Sequence, residues 1–195
     1  MTATADWLDY WSGDVSLYVS PRHLEAHYRG LFEAVRPLLP PAPFTLLDYG
    51  CGEALMAPRL AGLGGRVLLH DAAPPRAEAL RRRFAAVAGI EVAEDLEAHA
   101  GVADLVLLVS VLQYVPKREA PALFARLARV LKPSGRLVVG DILAPTNSVK
   151  DDVLELLRFG WREGFLLQAL AGLVRTLKSD YGRMRGRIGL TTWTL

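Results

Sequence analysis

Residues 46–55 read LLDYGCGEAL, an apolar run closed by an acid and followed by two glycines on either side of a cysteine. A short apolar run of this kind fits a strand buried on both faces, and Gly50 and Gly52 permit a tight turn whose backbone can approach a ligand closely. The pattern then predicts a helix over 53–63, which would set the turn at a positive helix end, a place that favours an anionic group. Working outward, RVLLHD at 66–71 reads as a second buried strand and ends in Asp71, 23 positions after Asp48. A carboxylate there can accept hydrogen bonds from both hydroxyls of a ribose, so spacing and strand context together describe a nucleoside site.

The same alternation runs further along the chain. FTLLD (44–48), IEVAED (90–95), ADLVLLVS (103–110) and GRLVVGDI (135–142) have the length of core strands. Helical patterns at 53–63, 76–87 and 118–131 separate them; in the last of these Leu123, Phe124, Leu127, Val130 and Leu131 form the apolar face, and Pro133 and Gly135 end it. Strands alternating with helices predict an α/β fold with a mainly parallel sheet. On the N-terminal side, Ser20 and Pro21 open a helix whose apolar stripe is Leu24, Tyr28, Leu31, Phe32 and Val35, and PLLPPAPF (37–44) is a stiff linker. After the fifth strand, Ser148 with Asp151 reads as a capping box opening a long apolar helical region through about Leu177, which Gly160 and Gly164 split in two. The basic run Lys178, Arg183, Arg185 and Arg187 reads as a solvated face.

The 195 residues, 51% of them hydrophobic, suffice for one core. We therefore expect a single domain over 1–195, with an N-terminal helical cap (1–40), a ligand-binding core (44–143) and a C-terminal helical region (144–195). The formal net charge of +2 gives no long-range field that would argue for a nucleic-acid partner. Cys51 is the only cysteine, so no intramolecular disulfide and no paired-thiol zinc site can form, and a reducing, cytoplasmic setting is expected. MTATADWLDYW lacks a signal core, and FLLQALAGLV (165–174) is too short to cross a bilayer, so the protein is expected to be soluble, with no transmembrane segment.

Two ligand classes fit a glycine turn followed by a distal acid. A pyrophosphate-binding turn requires G-x-G-x-x-G, but Leu55 holds the third position, and Asp48 and Glu53 would face a dianion with no base in the loop. Acidic neighbours suit a ligand that carries an ammonium group. Over residues 44–143 the sequence resembles the class I S-adenosylmethionine-dependent methyltransferases, especially the broad group that contains many small-molecule enzymes. LDYGCGEA is similar to that family's first motif, Asp71 stands at its ribose-binding acid, and AED (93–95) resembles its adenine site. ADLVLLVSVLQYVP and VLKPSGRLVVGDI resemble its fourth strand and its fifth-strand approach.

The resemblance implies a Rossmann-like three-layer sandwich with strand order 3-2-1-4-5. It implies S-adenosylmethionine as cofactor, with Asp48, Tyr49, Gly50, Cys51 and Gly52 around the methionyl part, Asp71 and Ala72 at the ribose, Asp95 and Leu96 at adenine, and Ser110 near the methyl group. Glu94 could serve in place of Asp95, and Asp95 could instead cap a turn. Gln113 and Tyr114 fall on the loop where such enzymes often meet their acceptor, here expected to be a small molecule of apolar character. Tyr18, within an aromatic-rich start that includes Trp7, Tyr10 and Trp11, is either part of a lid or a strap on the core. No metal site is expected: HLEAH (23–27) departs from H-E-x-x-H, and His23 and His27 read as a solvated helix face. Cys51 reads as lining rather than as a nucleophile.

The apolar 153–177 region is core, a substrate wall, a membrane contact or the face of a homodimer. Members of the family normally add an antiparallel strand pair after the fifth strand; here LTTWTL (190–195) offers one strand or the start of a helix, and no clear pair is read. Three functions follow: a methyltransferase, an NAD(P)-binding oxidoreductase, and a non-catalytic S-adenosylmethionine-binding protein.

Overall fold

In the computed structural model, residues 18–145, 149–178 and 190–193 are described. The helix α1 (Pro21–Val35) begins as its sequence dictates: Ser20 is extended, Pro21 occupies the first turn, and the Ser20 hydroxyl accepts from the His23 N–H at 3.1 Å. Tyr28, Phe32 and Val35 are buried, with Leu24 and Leu31 packed beside them.

Five strands follow: β1 (Phe44–Tyr49), β2 (Gly65–His70), β3 (Ile90–Val92), β4 (Ala103–Val109) and β5 (Leu131–Gly140). They form one parallel sheet in the order β3-β2-β1-β4-β5. The order is that of a Rossmann-like sheet whose direction of winding reverses between β1 and β4, which places the ligand crevice at the carboxyl ends of the central strands. Strand alternation explains the continuous apolar runs. Leu46 points into a layer with Tyr28, Phe32, Leu60, Val67, Leu80 and Leu107, while Leu47 points into the opposite layer with Leu68, Val106, Leu108, Leu127 and Val130. Each fully buried leucine contributes about 1.5–3 kcal/mol of transfer free energy, so the two layers fix register as well as stability.

The connecting helices are α2 (Ala57–Gly62), α3 (Pro74–Phe84), α4 (Ala120–Val130), α5 (Val149–Glu163) and α6 (Leu166–Lys178). Several differ from the sequence reading. The helix expected over 53–63 starts only at Ala57, because Ala54 takes φ +49°, outside the right-handed helical region. A six-residue helix set off by a turn therefore replaces the positive helix end expected against the glycines. β5 begins at Leu131 rather than 135: Leu131 pairs with Ala103 and Arg136 with Leu105, so 132–135 bulge out of the ladder. Gly160 does not break its helix. It stays within α5 and lets α6 approach, since a Cβ there would lie 3.2 Å from the Leu166 Cα; Gly164, at φ +74°, makes the break. Ser148 of the expected capping box lies outside the described residues.

Of LTTWTL, residues 190–193 are described and form an extended tie rather than a sheet strand. Thr191 N–H donates to Gln113 O at 2.8 Å and Trp193 N–H to Leu143 O at 2.9 Å, while the Trp193 indole donates to Leu112 O at 3.1 Å. This tie joins the loops that follow β4 and β5. Among the described residues no antiparallel pair completes the sheet, and no helix is long and apolar enough to cross a membrane.

Candidate functional site

The chain reverses after β1 through three residues of positive φ: Gly50 (+73°), Gly52 (+55°) and Ala54 (+49°). The Gly50 N–H donates to His70 O at 2.7 Å, which ties the turn to the end of β2. At Gly50 a Cβ would lie 2.4 Å from Val111 Cγ2, so glycine is required there by both conformation and space. Tyr28 of α1 pins the turn from the other side: its hydroxyl donates to Cys51 O at 3.2 Å and accepts from Glu53 N–H at 2.9 Å. The sequence reading had placed Tyr28 in the core stripe and missed this role, which no local pattern signals.

Asp71 closes the arrangement. One carboxylate oxygen accepts from Gly52 N–H at 3.1 Å and the other from Ala73 N–H at 3.0 Å, so the acid at the end of β2 is fixed beside the glycine turn. Each oxygen keeps a second lone pair for a hydroxyl donor. Ala72, next to it, is exposed. Asp48 is 5% exposed. Burial, with the Asp71 carboxylate adding to it, pushes its pKa up to about 7, and no cation is among the groups acting on it. Cys51 is also buried, and burial followed by the charges of Asp48 and Asp71 pushes its thiol up, which makes it lining and not a nucleophile. Tyr49 alternates to the opposite face, where its ring stacks on His70 at 4.9 Å and only its backbone stays with the turn.

The loop itself holds no base, as the sequence reading has it, but Glu53 is compensated from α3: Arg76 pairs with it, and Arg83 reaches its carboxylate at 3.0 Å and its carbonyl at 2.7 Å. The bases come from 23 and 30 positions downstream, beyond any view limited to the loop.

Asp95 is exposed and accepts from Glu97 N–H at 2.9 Å, just ahead of the short 3-10 turn at 97–99. Glu94 pairs with Arg81. Leu96 is 1% exposed and its side chain belongs to the core, which leaves its backbone as the group it could offer a ligand.

At the ends of β4 and β5, Ser110 (φ +58°) and Asp141 (φ +53°) both adopt left-handed backbone, and the Ser110 hydroxyl donates to the Asp141 carboxylate. Paired non-glycine residues in this conformation mark a site held in place by its surroundings. Asp141 was read only as part of a strand; its place at the carboxyl end of a parallel strand, like that of Asp71, was the available signal. Gln113 lies in a 3-10 turn at 112–114 with Tyr114, and its side-chain Oε1 is buried with no hydrogen-bond partner among the described residues.

Tyr18 is brought to the site: its ring lies 5.3 Å from that of His23, 5.4 Å from His27 and 6.4 Å from Tyr28, and the charges of Glu53 and Asp141 act on it. Trp7, Tyr10 and Trp11 lie outside the described residues. The expected solvated face at His23 and His27 is not found. His23 stacks on Phe165 at 4.7 Å, and burial lowers the pKa of both imidazoles. Sequence reading missed this because Phe159 and Phe165 arrive from more than 130 positions away. Among the described residues no cluster of side chains could hold a metal ion.

Residues 47–139 match the family described as a methyltransferase domain. The ubiquinone biosynthesis O-methyltransferase of Cereibacter sphaeroides is 36% identical over 112 residues, 53% of this chain and 44% of that protein. The ubiquinone biosynthesis O-methyltransferase of Methylocella silvestris is 40% identical over 88 residues, 42% of this chain and 33% of that protein. The match thus spans less than half the length of either relative. Among solved structures, the magnesium protoporphyrin IX methyltransferase of Synechocystis with bound S-adenosylmethionine superposes with a TM-score of 0.53 at 22% identity, over 82% of this chain and 86% of that one, a likeness of fold.

Proposed function

We propose, from the match of residues 47–139 to a methyltransferase domain, that this protein transfers a methyl group from S-adenosylmethionine to a small-molecule acceptor. One observation carries the reading: a buried Asp48 with a raised pKa and no cation acting on it, next to a glycine turn and a fixed Asp71. A carboxylate in that state is stabilised by an incoming ammonium group, and Asp71 has lone pairs for a sugar diol. The donor set therefore fits an amino-acid nucleoside. A pyrophosphate fits poorly, since Asp48 would repel it and α2 begins only after an intervening turn.

In this reading Asp48 holds the ammonium, the backbone of 49–52 lines the methionyl chain, Asp71 with Ala72 holds the ribose, and Asp95 with the Leu96 backbone borders adenine. Ser110, held by Asp141, faces the methyl group. When bound, the cofactor supplies an electrophilic methyl on a sulfonium. The protein's contribution is to align the acceptor with it and to keep water out, and such orientation is worth about 7–11 kcal/mol. Tyr18, Gln113 and Tyr114 border the acceptor, and the unpartnered Gln113 Oε1 supports a polar contact there. The aromatic packing of His23, Phe159 and Phe165 supports an acceptor of apolar character. Of the described residues, we read those before 40 as a cap, 44–143 as the cofactor core, and α5 with α6 as a helical wall of one domain. Exposed Trp161 and Leu167 make pairing of two copies a separate proposal for light scattering to test.

Calorimetry with S-adenosylmethionine, S-adenosylhomocysteine, NAD and NADP tests the cofactor. The first two should bind and the nicotinamide cofactors should not; the reverse preference would overturn the reading. Transfer of labelled methyl to any acceptor in a panel of phenols and amines then separates an enzyme from a protein that only binds the cofactor.

A further inference from the structure

Between α1 and α5 lies an open groove of about 960 Å³ whose lining includes His23, His27, Leu156, Phe159 and Trp161. Its charged side chains come in a balanced set, Asp152 and Glu155 against Arg158 and Arg162, so the groove offers no net charge to a ligand. Aromatic and aliphatic walls with a cancelled charge suit an uncharged, ring-bearing molecule.

His27 stands where this groove meets the cofactor side of the molecule. Its ring lies 5.4 Å from that of Tyr18 and 5.4 Å edge-on from Tyr28, whose hydroxyl holds the glycine turn. The charge of Asp141, fixed by Ser110 at the ends of β4 and β5, acts on His27. Of the other groups on that side, His23 is one helical turn away and packed between aromatic rings, and Tyr18 and Tyr28 are held neutral by burial. Across the groove stand the four balanced charges of α5.

Resting on the methyltransferase reading, we propose that the groove between α1 and α5 seats the acceptor and that His27, at its inner end, takes the proton of an acceptor hydroxyl. The hydroxyl oxygen bonds to the methyl carbon, the methyl–sulfur bond breaks with its electron pair staying on sulfur, and the hydroxyl proton passes to the imidazole and then to solvent. Burial keeps His27 neutral and ready to accept, while Asp141 favours the imidazolium that results.

The test uses catechol as probe and histidine NMR on the cofactor-free protein. Catechol should shift the His27 resonance and leave His99, which sits by Glu91 near β3, unmoved. Asp141→Asn should move the His27 titration further down. With S-adenosylmethionine present, His27→Gln should lower kcat about 100-fold, with recovery toward high pH and a cofactor Kd changed less than about twofold. Catechol that leaves His27 unmoved, or a His27→Gln variant within threefold of the parent kcat, would overturn the inference. Should His27→Gln fail to fold, the Asp141→Asn titration decides. If the parent protein does not bind S-adenosylmethionine at all, the methyltransferase reading itself fails, whatever His27 does.

Discussion

The turn after β1 and the groove between α1 and α5 meet at Tyr18 and Tyr28, yet they are built by different means. The turn is local. Residues 48–54 carry their own glycines and acid, and a few hydrogen bonds from His70, Asp71 and Tyr28 lock them. The groove is assembled from segments more than 100 positions apart, and its two helices are joined by packed rings and by Arg22 and Arg29, which both reach Glu163. On the proposed reading, the site for one constant molecule is fixed by backbone, and the site for the acceptor can vary by exchanging side chains on two helices.

Substitutions can break this contrast, beginning with the largest effect. Unfolded, Asp48 titrates near 3.8, and folded near 7. Between those values the folded chain holds a proton that the unfolded chain has lost, so this group's contribution to stability falls as pH rises through the window. At about 1.4 kcal/mol per pH unit, Asp48→Asn should stabilise the cofactor-free protein at pH 8 by up to about 4 kcal/mol in urea unfolding, while weakening cofactor binding. His23, His27 and His70, whose pKa values burial lowers, act with the opposite sign, so the difference between variant and parent isolates Asp48. An Asp48→Asn variant no more stable than its parent at pH 8 would remove the electrostatic basis of the turn.

Next, Gly50→Ala forces a Cβ against Val111 at positive φ and should cost about 2–4 kcal/mol by thermal unfolding. Asp71→Ala should weaken cofactor binding by about 2 kcal/mol in calorimetry through lost charged hydrogen bonds; unchanged affinity in a folded variant would exclude it from the site. Smallest of all, Gly30→Ala sits inside α1 with nothing within 4 Å of the new methyl and should stabilise by about 0.5–1 kcal/mol. A loss there would mean that α1 is packed against something further.

What was legible in the sequence follows the same division. The strands, the glycine turn and Asp71 rest on periodicity and on residues with special backbone freedom, and these act over a few positions; the strand order was implied only by the resemblance to a family. The helix at 53–63 was read too long because the left-handed Ala54 has no mark in its residue type. His23 and His27 were read as solvated because i, i+4 spacing tells which face they share and not what packs on it; Phe159 and Phe165 decide that. Asp141 was hidden in a strand, and its pairing with Ser110 spans 31 positions.

The Tyr28 hydroxyl has a last consequence. Tyr28 steadies the turn, and its immediate neighbour His27 lines the groove, so on the proposed reading one helix touches the sites of both ligands. Any rocking of α1 that loosens one grip loosens the other, and thermodynamic reciprocity then requires each ligand to tighten its companion's binding by the same factor. A pair of affinities measured with and without the second ligand would read that factor twice.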